Sequence, residues 1–124
     1  MDHMASILVL DEDRERRDIV PLCLVVAGYE NVHVAADGGE ALDLIHQSSP
    51  DLMVLDVDAR GGNGLAFLHL LRSDLSVPRF PIVLISDDAD EAELAEVSVA
   101  HLKKPLDVKE LLEMVSHQLR VAQH

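Results

Sequence analysis

A chain of 124 residues is one domain of ordinary size and leaves no room for a second catalytic or DNA-binding module. Hydrophobic residues make up 48% of it, enough for a packed core, yet the longest uninterrupted apolar run, Leu22 to Ala27, falls far short of the roughly 18 residues of a membrane span. Ten Lys and Arg against 23 Asp and Glu leave a formal charge of −13, which argues against direct nucleic-acid binding; Arg14, Arg16 and Arg17 stand among Asp11, Glu12, Asp13, Glu15 and Asp18 and form no basic arm.

In chain order, residues 1–5 read as a disordered lead-in or cloning remnant, ahead of a domain over 6–122. Ile7 to Leu10 is a continuous apolar run, the form of a strand buried on both faces, and Asp11 and Glu12 follow it. A helix is predicted over Arg14 to Ala27, with Pro21 imposing a kink or a late start and Gly28 ending it. The lone Cys23 lies between Leu22 and Leu24, reads as inert core, and has no partner for an intrachain disulfide. With no signal-peptide pattern, the expected compartment is the cytoplasm.

Val32 to Ala36 is a weaker, more polar strand that belongs nearer a sheet edge, followed by a helix over Gly39 to Gln47. Asp51 to Leu55 is the next buried strand, ending at Asp56, and Gly61, Gly62 and Gly64 would let the following loop bring its backbone close. A helix over Leu65 to Arg72 leads to a strand over Pro81 to Ile85 that ends at Ser86. A helix over Asp90 to Val97 precedes the last, weaker strand, Val99 to Lys103, which ends at Lys104. In the final helix, Val108 to Val121, Val108, Leu111, Leu112, Val115 and Leu119 recur at helical spacing behind Asp107 as N-cap.

Strand and helix thus alternate throughout, which predicts an α/β fold: a doubly wound (βα)5 five-stranded parallel sheet with its site outside the carboxyl ends of the strands. Those ends carry Asp11, Glu12, Asp56, Ser86 and Lys104. Crowded carboxylates repel one another unless a cation sits between them, and Mg²⁺ suits such oxygen donors together with a phosphate. A carboxylate can be the nucleophile of phosphoryl transfer, and Asp56 is the candidate, with Lys104 to pair with a phosphoryl oxygen and Ser86 to donate to another. Each residue also has an ordinary structural use: a loop-capping carboxylate for Asp56, helix-dipole acids for Asp11 and Glu12, a salt bridge to Asp56 for Lys104, a loop cap for Ser86.

On Ile7 to Asp13, Pro50 to Asp56, Gly61 to Gly64, Pro81 to Ser86 and Lys104-Pro105, the sequence resembles the receiver domain of two-component response regulators, a flavodoxin-like family, from Ile7 to about Arg120. The resemblance implies strand order 2-1-3-4-5, Asp56 as phosphoacceptor, and Mg²⁺ held by Asp11, Glu12, Asp56 and the main-chain carbonyl of Asp58. It also implies Ser86 as the switch hydroxyl, Lys104 as the phosphoryl contact, His101 at a switch position where Tyr or Phe is usual, and a cis Lys104-Pro105 bond. The implied partners are a histidine kinase or phosphotransfer protein and a downstream protein, with no membrane. The implied role is signalling rather than enzymatic turnover.

The sequence departs from the pattern at Glu12, where Asp is ordinary, at Arg60, and at Asp87, where a small residue is usual. It is also about four residues short between Ser86 and Lys104, which predicts a shortened or missing fourth helix. That shortening leaves a weak or phosphorylation-dependent dimer an open matter, and it motivates the alternative of an atypical pseudo-receiver that binds proteins independently of phosphorylation. Haloacid-dehalogenase-like phosphatases share the order of Asp56, Asp58, Ser86 and Lys104, but they place their metal-binding acids after the lysine.

Overall fold

The computed structural model of the chain describes residues 4–11, 18–57, 63–87 and 99–122. The strands are β1 (Ser6–Asp11), β2 (Asn31–Ala35), β3 (Leu52–Asp56), β4 (Ile82–Ser86) and β5 (Ala100–Lys103); the helices among these residues are α1 (Ile19–Val26), α2 (Gly38–Gln47), α3 (Asn63–Ser73) and α4 (Val108–Ala122). All strand pairs are parallel, and the sheet order is β2-β1-β3-β4-β5. The doubly wound five-stranded sheet is as predicted, with the two polar strands at its edges. The helix expected over Asp90 to Val97, and with it the shortening of that element, lies outside the described residues.

The middle strands have no polar alternation because both of their faces are covered. Leu8, Leu10, Met53, Leu55, Ile82 and Leu84 pack on one side against Ala41 and Ile45 of α2 and Leu68 and Leu71 of α3. Their neighbours Ile7, Val9, Leu52, Val54, Val83 and Ile85 pack on the other side against Val20 and Leu24 of α1 and Leu111, Val115 and Leu119 of α4. Each such side chain, fully buried, contributes about 1.5–3 kcal/mol. Cys23 packs half-buried against the second cluster.

Several element boundaries differ from the sequence-based expectation. Asp11, Asp56 and Ser86 are the last residues of their strands, not the first beyond them. Asp51 stands outside β3 and ties it to β1, donating its N–H to the Ser6 carbonyl at 2.8 Å while its carboxylate accepts the Ser6 N–H at 2.7 Å. Ala5 is buried in the core, and the Met4 carbonyl accepts a hydrogen bond from the Asn31 side chain. Finally, α1 begins at Ile19 and not Arg14, the late start expected from Pro21, which thus falls in its first turn, where a missing N–H leaves no carbonyl unserved. Gly28, at φ 108°, closes that helix, its N–H donating to the Val25 carbonyl at 3.0 Å.

Candidate functional site

Parallel register brings the polar residues to one edge of the sheet. Asp11 stands opposite Asp56 across the β1/β3 pair, and both are buried, Asp11 at 2% exposure and the Asp56 side chain at 9%. The strand ladder continues one step past Asp56, where the Val57 N–H donates to the Ile85 carbonyl at 2.8 Å, so the backbone on both sides of Asp56 is fixed. Asp11 and Asp56 are hard oxygen donors on adjacent strands, a pair that suits Mg²⁺, which takes one or two carboxylates and fills its octahedron with water and phosphate. Glu12 and Asp58, the other expected contributors, lie outside the described residues, as does Arg60.

Lys104 reaches this edge from beyond β5. Its N–H donates to the Ser86 carbonyl at 2.9 Å, and the bond to Pro105 is cis, as the resemblance implied. Its ammonium, at 8% side-chain exposure, lies 2.7 Å from Asp56 Oδ1 and donates to the Val57 carbonyl at 3.0 Å. Among the described residues Oδ1 is held by the ammonium as an ion pair. The carbonyl anchor fixes the lysine independently of whatever charge Asp56 carries.

Val57 is a site residue that the sequence does not advertise, because every residue offers a carbonyl. Its side chain explains one glycine: a Cβ on Gly64 would lie 2.3 Å from Val57 Cγ2, so only glycine lets the start of α3 press against the residue after Asp56.

Ser86 and His101 form a second pairing. Strand alternation turns Ser86 to the same face of β4 as Ile82 and Leu84, and His101 lies in register with Leu84 on the neighbouring strand. Ser86 Oγ lies 2.8 Å from His101 Nε2, with the serine 4% exposed and the histidine half-buried. The edge therefore brings together Asp11 with Asp56, Asp56 with Lys104, and Ser86 with His101, the last two joined through the Lys104 to Ser86 backbone bond.

A hollow of about 540 Å³ opens over this edge, with Asp56, Asp87 and Lys104 on its polar side and Ile19, Val20, Leu106 and Val108 forming apolar walls. Ile19 is itself half-exposed, so the α1 wall passes without a break from the hollow to the protein surface. Such a space is large enough for a small anion, and the Lys104 ammonium lies on its polar side.

The family model of the response regulator receiver domain matches residues 7–116. Among solved structures the chain is similar to the chemotaxis protein CheY4 of Vibrio cholerae, with TM-score 0.79 and 28% identity over 93% of this chain and 98% of that one. It is similar to a putative response regulator from Chloroflexus aurantiacus, with TM-score 0.81 and 28% identity over 94% of this chain and 98% of that one. Against NtrX of Brucella abortus the TM-score is 0.80 at 27% identity, over 97% of this chain but 27% of that longer chain. By the extent of the family match, carried on the same order of strands, the chain belongs to the response regulator receiver domain family.

Proposed function

We propose that this chain accepts a phosphoryl group on Asp56 from a histidine kinase or phosphotransfer protein, and that the new charge changes its binding to a downstream protein. The observation that carries the reading is the placement of Lys104, whose ammonium touches Asp56 Oδ1 while anchored on the Val57 carbonyl at the floor of an open hollow. A lysine with only a structural use has no need of an opening above its partner.

In the transfer, an Asp56 carboxylate oxygen attacks the phosphorus of the donor's phosphoimidazole. The new P–O bond forms as the P–N bond breaks, the imidazole leaves, and that nitrogen takes a proton from solvent. Lys104 keeps its carbonyl anchor and moves its pairing from the carboxylate to a phosphoryl oxygen. Ser86 donates its hydroxyl to another oxygen, and His101 adjusts as that hydroxyl turns. Asp11 and Asp56, with Glu12 and the Asp58 carbonyl, would hold Mg²⁺, whose charge offsets that of the phosphoryl oxygens. Asp87, on the wall of the hollow, opposes an incoming anion and slows loading. The donor reaches Asp56 over the apolar wall of Ile19 and Val20, so its contact surface is apolar around the phosphohistidine.

The test is intact-mass spectrometry after incubation with acetyl phosphate and Mg²⁺. Wild type is expected to gain one phosphoryl group, while Asp56→Asn and a chelated sample gain none. An unmodified wild type, together with equal partner binding by wild type and Asp56→Ala, would sink this reading in favour of a pseudo-receiver, in which the Asp56–Lys104 pair serves structure alone.

A further inference from the structure

The Ser86–His101 contact contains a choice of proton position, and unlike a Tyr or Phe the ring at 101 also has a cationic form that can only donate. A serine hydroxyl has one hydrogen to donate and two lone pairs to accept with, while a neutral imidazole has one donor nitrogen and one acceptor nitrogen. At 2.8 Å between Oγ and Nε2, two arrangements fit. In the first, Nε2 accepts and the Ser86 hydrogen is committed to the ring. In the second, Nε2–H donates to Oγ, and the hydroxyl hydrogen is free to turn to another acceptor. An imidazolium permits the second arrangement alone, because both of its nitrogens are donors.

We propose that His101 is a positioning residue whose protonation reverses the hydrogen bond to Ser86 and releases the serine hydroxyl to a phosphoryl oxygen on Asp56. This rests on the phosphoacceptor reading above and adds to it a dependence on proton concentration. With Nε2 unprotonated, the imidazole and the phosphoryl group compete for one hydrogen; with Nε2–H the two contacts coexist, and protonation of the ring removes the competing tautomer altogether. The sign follows: acid conditions favour the loaded state, and the gain is lost as pH rises.

The surroundings bear on that titration. On β5, Lys103 lies two residues along on the same face as His101, and it is exposed. From β4 come Leu84 in register and Ser86 itself, with the exposed Asp87 next in the chain. From α3 the same cluster receives the uncharged Leu68 and Leu71, while Arg72 on that helix donates to the Phe80 carbonyl before β4 begins. Residues 88–98 lie outside the described residues and carry Asp88, Asp90, Glu91, Glu93 and Glu96.

The experiment loads wild type, His101→Phe and His101→Gln with acetyl phosphate and Mg²⁺, removes the donor, and follows the half-life of the adduct by intact mass at several pH values between about 5.5 and 8. Dividing each half-life by that of His101→Phe at the same pH removes the intrinsic pH dependence of the acyl phosphate and of the metal. For wild type this ratio is expected to be about three- to tenfold higher at the acid end than at the alkaline end. For His101→Gln, which has a permanent N–H donor and no titration, the ratio is expected to stay level. A wild-type ratio that is also level overturns the proposal while leaving phosphorylation intact, whereas failure of wild type to form any adduct overturns the reading beneath it. A second readout uses unloaded protein: ¹⁵N spectra of the imidazole should show Ser86→Ala shifting the tautomer balance at Nε2, and an unchanged balance contradicts the hydrogen bond on which the proposal stands.

Discussion

The helices α1 and α4 lie side by side on one face of the sheet and border the same hollow, yet they solve the problem of burial differently. In α4 the buried residues Leu111, Val115 and Leu119 fall at successive helical turns, and Lys109, Glu110, Glu113 and Arg120 are exposed. In α1 the buried residues are Val20 and Leu24, but the outward positions are apolar as well, with Leu22 at 62% and Val26 at 79% exposure. The caps differ too. Asp107 accepts the Lys109 N–H at 2.9 Å ahead of α4, whereas Asp18 makes no side-chain cap for α1. A sheet face can bury one stripe of a helix, so α4 leaves apolar surface exposed only near its ends, at Val108 and Val121, while α1 leaves it along its outer side.

This contrast gives predictions in descending order of effect. Leu111→Ala and Leu24→Ala, each at a fully buried position, are expected to cost alike, about 2–5 kcal/mol by urea unfolding; a much cheaper Leu24 would mean that α1 contributes little to the core. Asp107→Ala is expected to cost about 1 kcal/mol, and Asp18→Ala within about 0.5 kcal/mol of nothing, in the same assay. A Leu22→Ser, Val26→Ser double variant should change stability by less than about 1 kcal/mol and leave loading from acetyl phosphate unaltered. Its loading from a phosphohistidine protein should fall about five- to tenfold, a loss of roughly 1–1.4 kcal/mol in contact energy. If both donors lose equally, the outer face of α1 plays no part in docking.

The amphipathic α4 was legible in the sequence because its apolar residues keep helical period and Asp107 precedes them. The outward surplus of α1 was not, since a stretch as uniformly apolar as Ile19 to Val26 has no period from which to tell its inner side. The same physics separates what could be read at the site from what could not. Asp56, Ser86 and Lys104 announced themselves as polar residues ending apolar strands, and their convergence followed from parallel topology. The anchoring of Lys104 on the Val57 carbonyl, and the contact of Ser86 with His101, depend on register and on side-chain reach across neighbouring strands, which one-dimensional spacing does not encode. The strand ends lie a single residue beyond their expected places for a related reason: a polar residue looks like a terminator, but a partner strand extended alongside it carries the ladder through Asp11, Asp56 and Ser86.

The central position of β3 has a mechanical consequence. It is hydrogen-bonded to β1 on one edge and β4 on the other, and side chains cover both of its faces, so Asp56 stands on a firmly held support. A change of charge there cannot be relaxed by sliding the strand. Under the proposed phosphorylation, the displacement would pass instead to the side chain of Lys104, which touches Asp56, and from the same edge to the paired side chains of Ser86 and His101, turning against the sheet.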